Sequence, residues 1–370
     1  MMNQYFPEVK GNFGFGFMRL PMNGDKVDIP HTTAMVDAFL AAGFNYFDTA
    51  HGYISEQSEV TLRQTLTSRY PRDQYILANK LSPNYFEKNE DIRPMFQLQL
   101  DACGVDYFDF YLMHCQNTEL FAKYKAAGAY ETAMELKAEG KIRHMGISFH
   151  DKASVLDQIL TEYPQIEFVQ IQFNYLDFES PRVESRKCYE VCRKHGKPVI
   201  VMEPVRGGQL VNLPTAAVDI LPKLGGGSNA SYAIRFAAGF EGIFMVLSGM
   251  SNLDMVHDNC GFMANFQPLN ETERKAVEQV ADVINGLDLI ACTSCKYCVD
   301  GCPQQIQIPD LFSCLNRKRR FSENKADETY ANFEVKASAC VECGQCEDVC
   351  PQKLPIRQLL KTVAGEFEPV

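Results

Sequence analysis

The sequence carries no surplus of positive charge. It has 36 Lys and Arg against 47 Asp and Glu, a formal net charge of −11, so no basic field is available to track a phosphate backbone and nucleic acid is excluded as a partner. Long apolar runs are also missing. No stretch approaches the roughly 18 residues that a membrane-crossing helix needs, and the opening MMNQYFPEVKGNFG lacks the basic stretch followed by an apolar one that marks a secretory signal. The expectation is a soluble protein of the cytoplasm with no membrane partner. A dinucleotide-binding turn of the Rossmann type is lacking as well: Gly14-Phe15-Gly16-Phe17-Met18-Arg19 is the one glycine fingerprint on offer, and it has no third glycine.

What is present is a chain of 370 residues, 46% apolar and 22% charged. That composition suits a globular protein with a full core, and the length suits one large domain and a small one. Eight of its 14 cysteines fall in two copies of C-x-x-C-x-x-C-x-x-x-C-P: Cys292, Cys295, Cys298, Cys302-Pro303 and Cys340, Cys343, Cys346, Cys350-Pro351. This is the bacterial ferredoxin spacing, in which three thiolates grip one cubic cluster and the fourth turns to its neighbour. Two [4Fe–4S] clusters are expected, with crossed ligation: one on Cys292, Cys295, Cys298 and Cys350, the other on Cys340, Cys343, Cys346 and Cys302. Zinc and disulfides are the competing readings. Zinc takes four thiolates per ion and does not ask for the repeated trio with C-P, and disulfides belong to secreted chains. The remaining cysteines are scattered. Cys188 and Cys192, one helical turn apart, are read as core packing, since a buried free thiol behaves as a small hydrophobe.

From about residue 12 to residue 265, short β-branched or aromatic runs alternate with longer amphipathic segments, the βα alternation of a parallel sheet. Eight strands are expected, near Phe15–Met18, Phe44–Asp48, Tyr75–Lys80, Phe108–His114, Ile142–Ser148, Phe168–Phe173, Val199–Met202 and Ile243–Ser248. Between them, helices end at Gly43 and Gly140, and Ser228 caps a helix from Asn229 to Ala238. Eight units in about 250 residues is the size of a (β/α)8 TIM barrel. Asn270-Glu-Thr-Glu273 then opens a further helix with a capping box. The expected architecture is α/β: a (β/α)8 barrel over residues 1–267, a helical joint over 268–290, and a small α-helical ferredoxin-like iron–sulfur domain over 291–370. Within the insert between the cysteine motifs, Asp310 to Arg320 reads as a helix whose basic end is either a docking patch for an acidic partner or a favourably charged helix C-terminus.

Polar residues at the C-terminal ends of barrel strands line the active-site face. Asp48 ends the second strand, Tyr53 follows it, Lys80 ends the third and His114 ends the fourth. A carbonyl accepting a hydride develops negative charge on oxygen and needs a proton donor, and a phenol is too weak an acid unless its anion is stabilised. Lys80 would supply that stabilisation to Tyr53, Asp48 would hold Lys80 charged, and His114 would hydrogen-bond the substrate oxygen. An ion pair that merely ties two strands is the bland alternative.

In Phe47-Asp48-Thr49-Ala50-His51-Gly52-Tyr53, Ala78-Asn79-Lys80, Asp106 to His114 and Gly140 to Ser148, the sequence resembles the aldo-keto reductases, and as a whole it resembles their ferredoxin-fused members. The resemblance covers residues 12 to about 265. It implies reduction of a small-molecule carbonyl by NAD(P)H lying across the barrel mouth, with Ser148 and Gln170 on the carboxamide. It further implies Gly207, Gly208 and Leu210 beneath the pyrophosphate and Ser251, Asp258 and Asn259 near the adenosine. Three positions depart from the family pattern: Phe149 follows Ser148 where Asn is usual, Met202-Glu203-Pro204 lacks the stacking aromatic, and Gly249 to Met255 lacks the Lys/Arg pair for a 2′-phosphate. The choice between NADH and NADPH therefore stays open, and so does flavin.

Hydride transfer moves two electrons, whereas each cluster moves one. The clusters either hold a structural lid or bring electrons from a redox partner protein, and flavin would be the natural converter in the second case. A redox-sensing regulatory protein without carbonyl turnover is the alternative function.

Overall fold

The computed structural model describes residues 4–321 and 325–368; the first three residues of the opening stretch and residues 322–324 of the cysteine insert lie outside that range. Eight parallel strands close into a barrel: β1 (Phe13–Gly16), β2 (Tyr46–Asp48), β3 (Ile76–Leu81), β4 (Phe108–Gln116), β5 (Ile142–Phe149), β6 (Phe168–Gln172), β7 (Val199–Met202) and β8 (Ile243–Gly249). Each pairs with its neighbours in sequence, and β1 closes the ring on β8 through Phe15↔Ser248 and Gly16↔Gly249. All eight expected strands are present. The first lies two residues earlier than anticipated, because Phe13 rather than Phe17 enters the ladder opposite Val246. A short antiparallel pair, Met22–Asn23 with Lys26–Val27, was not anticipated; its strands are two residues each, too short to leave an alternating pattern.

Helix punctuation works as the residue types suggest. Asp28 accepts from the His31 N–H at the start of Ile29–Ala41, Ser228 Oγ accepts from Ser231 N–H at 3.1 Å, and Asn270 with Glu273 forms a reciprocal capping box at the head of Glu271–Asn285, satisfying N–H groups that have no partner inside a helix.

The barrel interior is filled by side chains, as a barrel of eight strands requires. Phe6, Phe110, Phe168 and Phe244 meet edge to face or tilted near its foot, with Phe6 4.8 Å from Phe244 and 5.0 Å from Phe110. Gly146 belongs to this layer. A Cβ there would lie 2.4 Å from the Phe168 ring, so only glycine lets that ring in.

The chain divides into two compact units. One comprises the residues up to Pro204 together with Ala233–Leu269; the other comprises Val205–Tyr232 together with the chain from Asn270 onward. Residues 205–232, counted with the barrel in the sequence reading, thus group with the C-terminal unit. Their anchors are backbone and side-chain hydrogen bonds: Gln209 Nε2 donates to Cys292 O at 2.7 Å, and the Arg320 guanidinium donates to Gln209 O at 2.8 Å and to Asn212 O. Arg320 ends the expected helix, which runs Ile308–Arg320. Its basic end is taken up within the unit: Lys318 pairs with Asp327 and Glu366, and Arg319 with Asp288.

The C-terminal unit is an internal repeat. Tyr297–Asp300 and Ile308–Arg320 recur as Gln345–Asp348 and Ile356–Phe367, and left-handed residues recur at matching places: Ser294, Lys296 and Gln305 in the first copy, Glu342, Gly344 and Lys353 in the second.

Gly146→Ala is expected to destabilise the barrel by about 1–3 kcal/mol through overpacking against Phe168, read from the barrel transition in urea unfolding; a stability equal to wild type would show that the ring can yield.

Candidate functional site

Lys80 ends up with no solvent exposure at all, and its ammonium is accounted for by two short hydrogen bonds: to Asp48 Oδ1 at 2.7 Å and to the Thr49 carbonyl at 2.7 Å. Asp48 and Lys80 are brought together by register, since Asp48 lies opposite Ala78 in the β2–β3 ladder and Lys80 points inward two residues further along. Burial pushes the Lys80 ammonium down and the Asp48 carboxyl up, and each opposes the other's shift through the hydrogen bond and the charge between them. The second Asp48 oxygen, Oδ2, is buried with no protein partner.

Tyr53 stands directly beside this pair, its ring centroid 4.8 Å from Lys80 Nζ and 6.0 Å, edge-on, from the His114 ring. What holds it there is a turn of unusual backbone. Tyr53 N–H donates to Ala50 O, and Ile54, Ser55 and Glu56 follow with φ of 53°, 49° and 67°. Three consecutive left-handed L-residues carry a cost of about 1–2 kcal/mol each, the kind of local strain that collects at functional sites.

His114 is aimed by a bulge. The β4–β5 register jumps from Met113↔Ile147 to Gln116↔Phe149, with Cys115 between them at φ 58°, and such a bulge re-aims a side chain. Burial, with the nearby Lys80 and His150 charges, drives the His114 imidazole well below its ordinary value, so the ring is neutral. Ser82 Oγ contacts its Nδ1 at 2.7 Å; when that hydroxyl donates, the ring's proton resides on Nε2.

All four catalytic candidates read from the sequence, Asp48, Tyr53, Lys80 and His114, therefore meet at one end of the barrel. Sequence reasoning missed their supports. Ser82 is one, two residues beyond Lys80 on the same face. Glu59 is another, a fully buried carboxylate that accepts from His51 Nδ1 (2.7 Å), Asn79 Nδ2 (2.8 Å) and Gln99 Nε2 (3.2 Å), while Gln99 also donates to the Lys80 carbonyl at 2.9 Å. Burial opposes it, but the hydrogen bond and charge of Glu59, with the charge of Glu56, raise the His51 imidazole. The only sequence signal was the outward alternation of Asn79 beside Lys80.

The residues expected to contact a cofactor divide. Ser148 and Gln170 are direct neighbours in the β5–β6 ladder and both are buried. Ser148 Oγ accepts from Cys115 N–H at 2.8 Å, and Gln170 Oε1 is buried with no protein partner, a free acceptor suited to an amide N–H. Asn259 is buried and donates to Ser248 Oγ at 3.2 Å, Ser251 Oγ donates to Arg19 O at 2.7 Å, and Asp258 is exposed. Glu203, where the stacking aromatic would stand, has φ 56° and pairs with Arg19 at 3.6 Å. Gly207, Gly208 and Leu210 belong instead to the C-terminal unit. Gly207, at φ 61°, backs onto the first cysteine motif so closely that a Cβ would lie 2.6 Å from Thr293 O, which accounts for that glycine by packing within the unit.

In the C-terminal unit the eight motif cysteines line two cavities. One, of about 330 Å³ with its mouth, is bordered by Cys292, Cys295, Cys298 and Cys350; the other, of about 320 Å³, by Cys302, Cys340, Cys343 and Cys346. These are the two crossed sets that the spacing predicts. Burial pushes the Cys298 thiol up, with Cys295, Cys292 and Cys350 adding to the shift, and Cys346 is pushed up to about 11 by burial, Glu347, Cys340 and Cys343. Tetrahedral zinc, at about 2.3 Å from each sulfur, would draw its thiolates to about 3.8 Å from one another. Among the described residues no three Cys, His, Asp or Glu are gathered to hold a single metal ion. Ser294 N–H already points at Cys292 Sγ, 3.4 Å away, and Ser294 and Lys296 in the first motif and Glu342 and Gly344 in the second have the left-handed backbone from which anion-binding nests are built. The scattered Cys188 and Cys192 are buried in a helix facing the barrel core, with burial pushing Cys188 up to about 12.

A sequence profile described as the Aldo/keto reductase family matches residues 12–282. The chain belongs to that family. A second profile, the 4Fe-4S dicluster domain, matches residues 291–354. Among curated proteins, an NADH-specific methylglyoxal reductase of Escherichia coli (strain K12) is 30% identical over 216 residues, 53% of this chain and 62% of that protein. An aldo-keto reductase of Mycobacterium avium (strain 104) is 26% identical over 195 residues, 51% of this chain and 62% of that one. The chain thus spans less than two thirds of the length of these relatives. Among solved structures, an aldo-keto reductase from Klebsiella pneumoniae in complex with NADPH superposes with a TM-score of 0.60 at 19% identity, over 73% of this chain and 90% of that one. The holo form of an aldo-keto reductase from Bacillus halodurans gives 0.58 at 24%, over 73% and 91%. These likenesses establish the fold. Among the described residues no helix is long and apolar enough to cross a membrane.

Lys80→Met should destabilise the barrel by about 3–5 kcal/mol, because it strands a buried carboxylate, whereas Asp48→Asn/Lys80→Met should lie closer to wild type. Urea unfolding of the four proteins of this cycle checks the coupling, and additive losses would dissolve it.

Proposed function

We propose that this chain reduces a small carbonyl compound by hydride transfer from NAD(P)H, with Tyr53 as the proton donor. One observation carries the reading: a fully buried ammonium, tied to Asp48 and to the Thr49 carbonyl, sits 4.8 Å from the ring of Tyr53. A cation so placed favours the phenolate left after proton donation, which is what a general acid with an ordinary phenol's weak acidity needs. The neutral His114, held by Ser82, would donate from Nε2 to the substrate oxygen and fix its direction, an electrostatic stabiliser that needs no reorganisation. The proton passes from Tyr53 Oη to that oxygen as negative charge develops on it.

Nicotinamide, when bound, supplies the hydride. Ser148 and the unpartnered Gln170 Oε1 are the residues suited to its carboxamide. The absence of a Lys/Arg pair between Gly249 and Met255 and the NADH specificity of the Escherichia coli relative both favour NADH, and that relative's dicarbonyl, methylglyoxal, is the first substrate to try. In the C-terminal unit we assign two [4Fe–4S] clusters to the two crossed cysteine sets, with a role in one-electron exchange ahead of a purely structural one.

Tyr53→Phe is expected to lower turnover of methylglyoxal and of a panel of small aldehydes and ketones by about 10²–10⁴-fold, with nicotinamide binding, followed by fluorescence, unchanged. Wild-type rates in that variant would end the general-acid assignment. Tight nicotinamide binding without turnover in the wild type would instead favour the regulatory reading. Cys295→Ser should lose iron and visible absorbance while the barrel's circular dichroism persists; collapse of the whole fold would contradict the independence of the two units.

A further inference from the structure

The two cysteine copies are alike in backbone and unlike in cover. In the first, Thr293 is 3% exposed, Gly207 backs onto its carbonyl, and Gln209 donates to Cys292 O, so residues 207–209 close over the motif. In the second, Val341, the counterpart of Thr293, is 58% exposed, and Val349 is 40% exposed. Cys343 is exposed, whereas its counterpart Cys295 is half-buried. Val341 also borders the cavity of Cys302, Cys340, Cys343 and Cys346, so this cavity opens to solvent beside an apolar lip. The flanking charges are neutralised in pairs, Arg357 with Glu347 at 2.8 Å and Lys361 with Glu342 at 2.9 Å.

We propose that the cavity bordered by Cys302, Cys340, Cys343 and Cys346 is the port at which a separate one-electron carrier protein docks, with Val341 as its apolar contact. The proposal rests on the reading that these cysteines hold a cluster that carries electrons. Each encounter moves one electron: the carrier's reduced centre is oxidised by one, the cluster held by this cysteine set is reduced by one, and no bond or proton changes place. Redox encounters are transient and bury less than about 1,200 Å², so a small apolar lip at Val341 is enough, and the paired charges of Arg357 with Glu347 and Lys361 with Glu342 leave the contact apolar rather than long-range electrostatic.

The test uses the full-length, cluster-loaded protein, anaerobically, with flavodoxin hydroquinone as the probe carrier and dithionite as the small-molecule control. Semiquinone formation and cluster bleaching are followed by stopped flow. Val341→Lys and Val341→Glu should both slow reduction by flavodoxin about tenfold, with iron content, electron paramagnetic resonance and the dithionite rate unchanged. Reduction by flavodoxin at a rate that both substitutions leave unaltered overturns the port while the electron-carrying reading stands. Reduction by dithionite alone overturns it as a protein-docking site. Loaded clusters that neither reagent reduces overturn the electron-carrying reading and the port with it.

Discussion

An ammonium group cannot sit in the dry interior of a barrel without a partner, and the arrangement around Lys80 answers that demand. Removing such a charge from water costs several kcal/mol even after relaxation, and Asp48 offsets the cost only if it arrives in register, one strand away, with an oxygen 2.7 Å from the nitrogen. The Thr49 carbonyl supplies the second acceptor, which fixes the path of the chain leaving β2. That path leads at once into the left-handed turn of residues 54–56 and sets Tyr53 over the ammonium. The polar groups behind the sheet serve the same end from the other face: Gln99 grips the Lys80 carbonyl and Glu59 gathers Asn79, Gln99 and His51.

Much of this was legible in the sequence, and the parts that were not share a cause. Strands such as Phe108–Gln116 announce themselves because both faces are buried and the residues are uniformly apolar or aromatic. The tetrad was legible because each member stands at a strand end, where the barrel's geometry converges. Ser82, Glu59 and Gln99 were not, since a buried polar side chain looks like a surface one until its partners are known, and most of those partners lie about 20 to 40 positions away. Residues 205–232, read with the barrel, group with the C-terminal unit instead, for the same reason. One of their glycines, Gly207, approaches the backbone of Thr293, a packing role that no local pattern could announce.

The cysteine unit shows how spacing can be more informative than hydrophobic periodicity. Its crossed cavities follow from the extra residue and the proline before and after each fourth cysteine, which carry Cys302 and Cys350 away from their own trios. What spacing could not supply is the difference between the copies. A threonine in one and a valine in the other look like neutral drift until the first is found beneath residues 207–209 and the second in solvent.

The two units solve opposite versions of one electrostatic problem. The barrel buries a positive charge and neutralises it with a carboxylate supplied by its own chain. The C-terminal unit gathers four thiols on each cavity, and thiolates held that close in a low-dielectric core repel one another; Arg357, which borders the second cavity, is itself paired with Glu347. Its core is small and built partly from the sulfurs themselves, with Cys298, Cys314, Cys346 and Cys350 among the buried residues. A cationic iron–sulfur core is the counter-charge such a donor set calls for, and ligand binding of this kind is folding free energy for a small metallo-unit. The barrel's buried charge is thus balanced by its own sequence, whereas the cysteine sets call for a metal, and the chain passes between the two units three times, first within three residues of leaving β7.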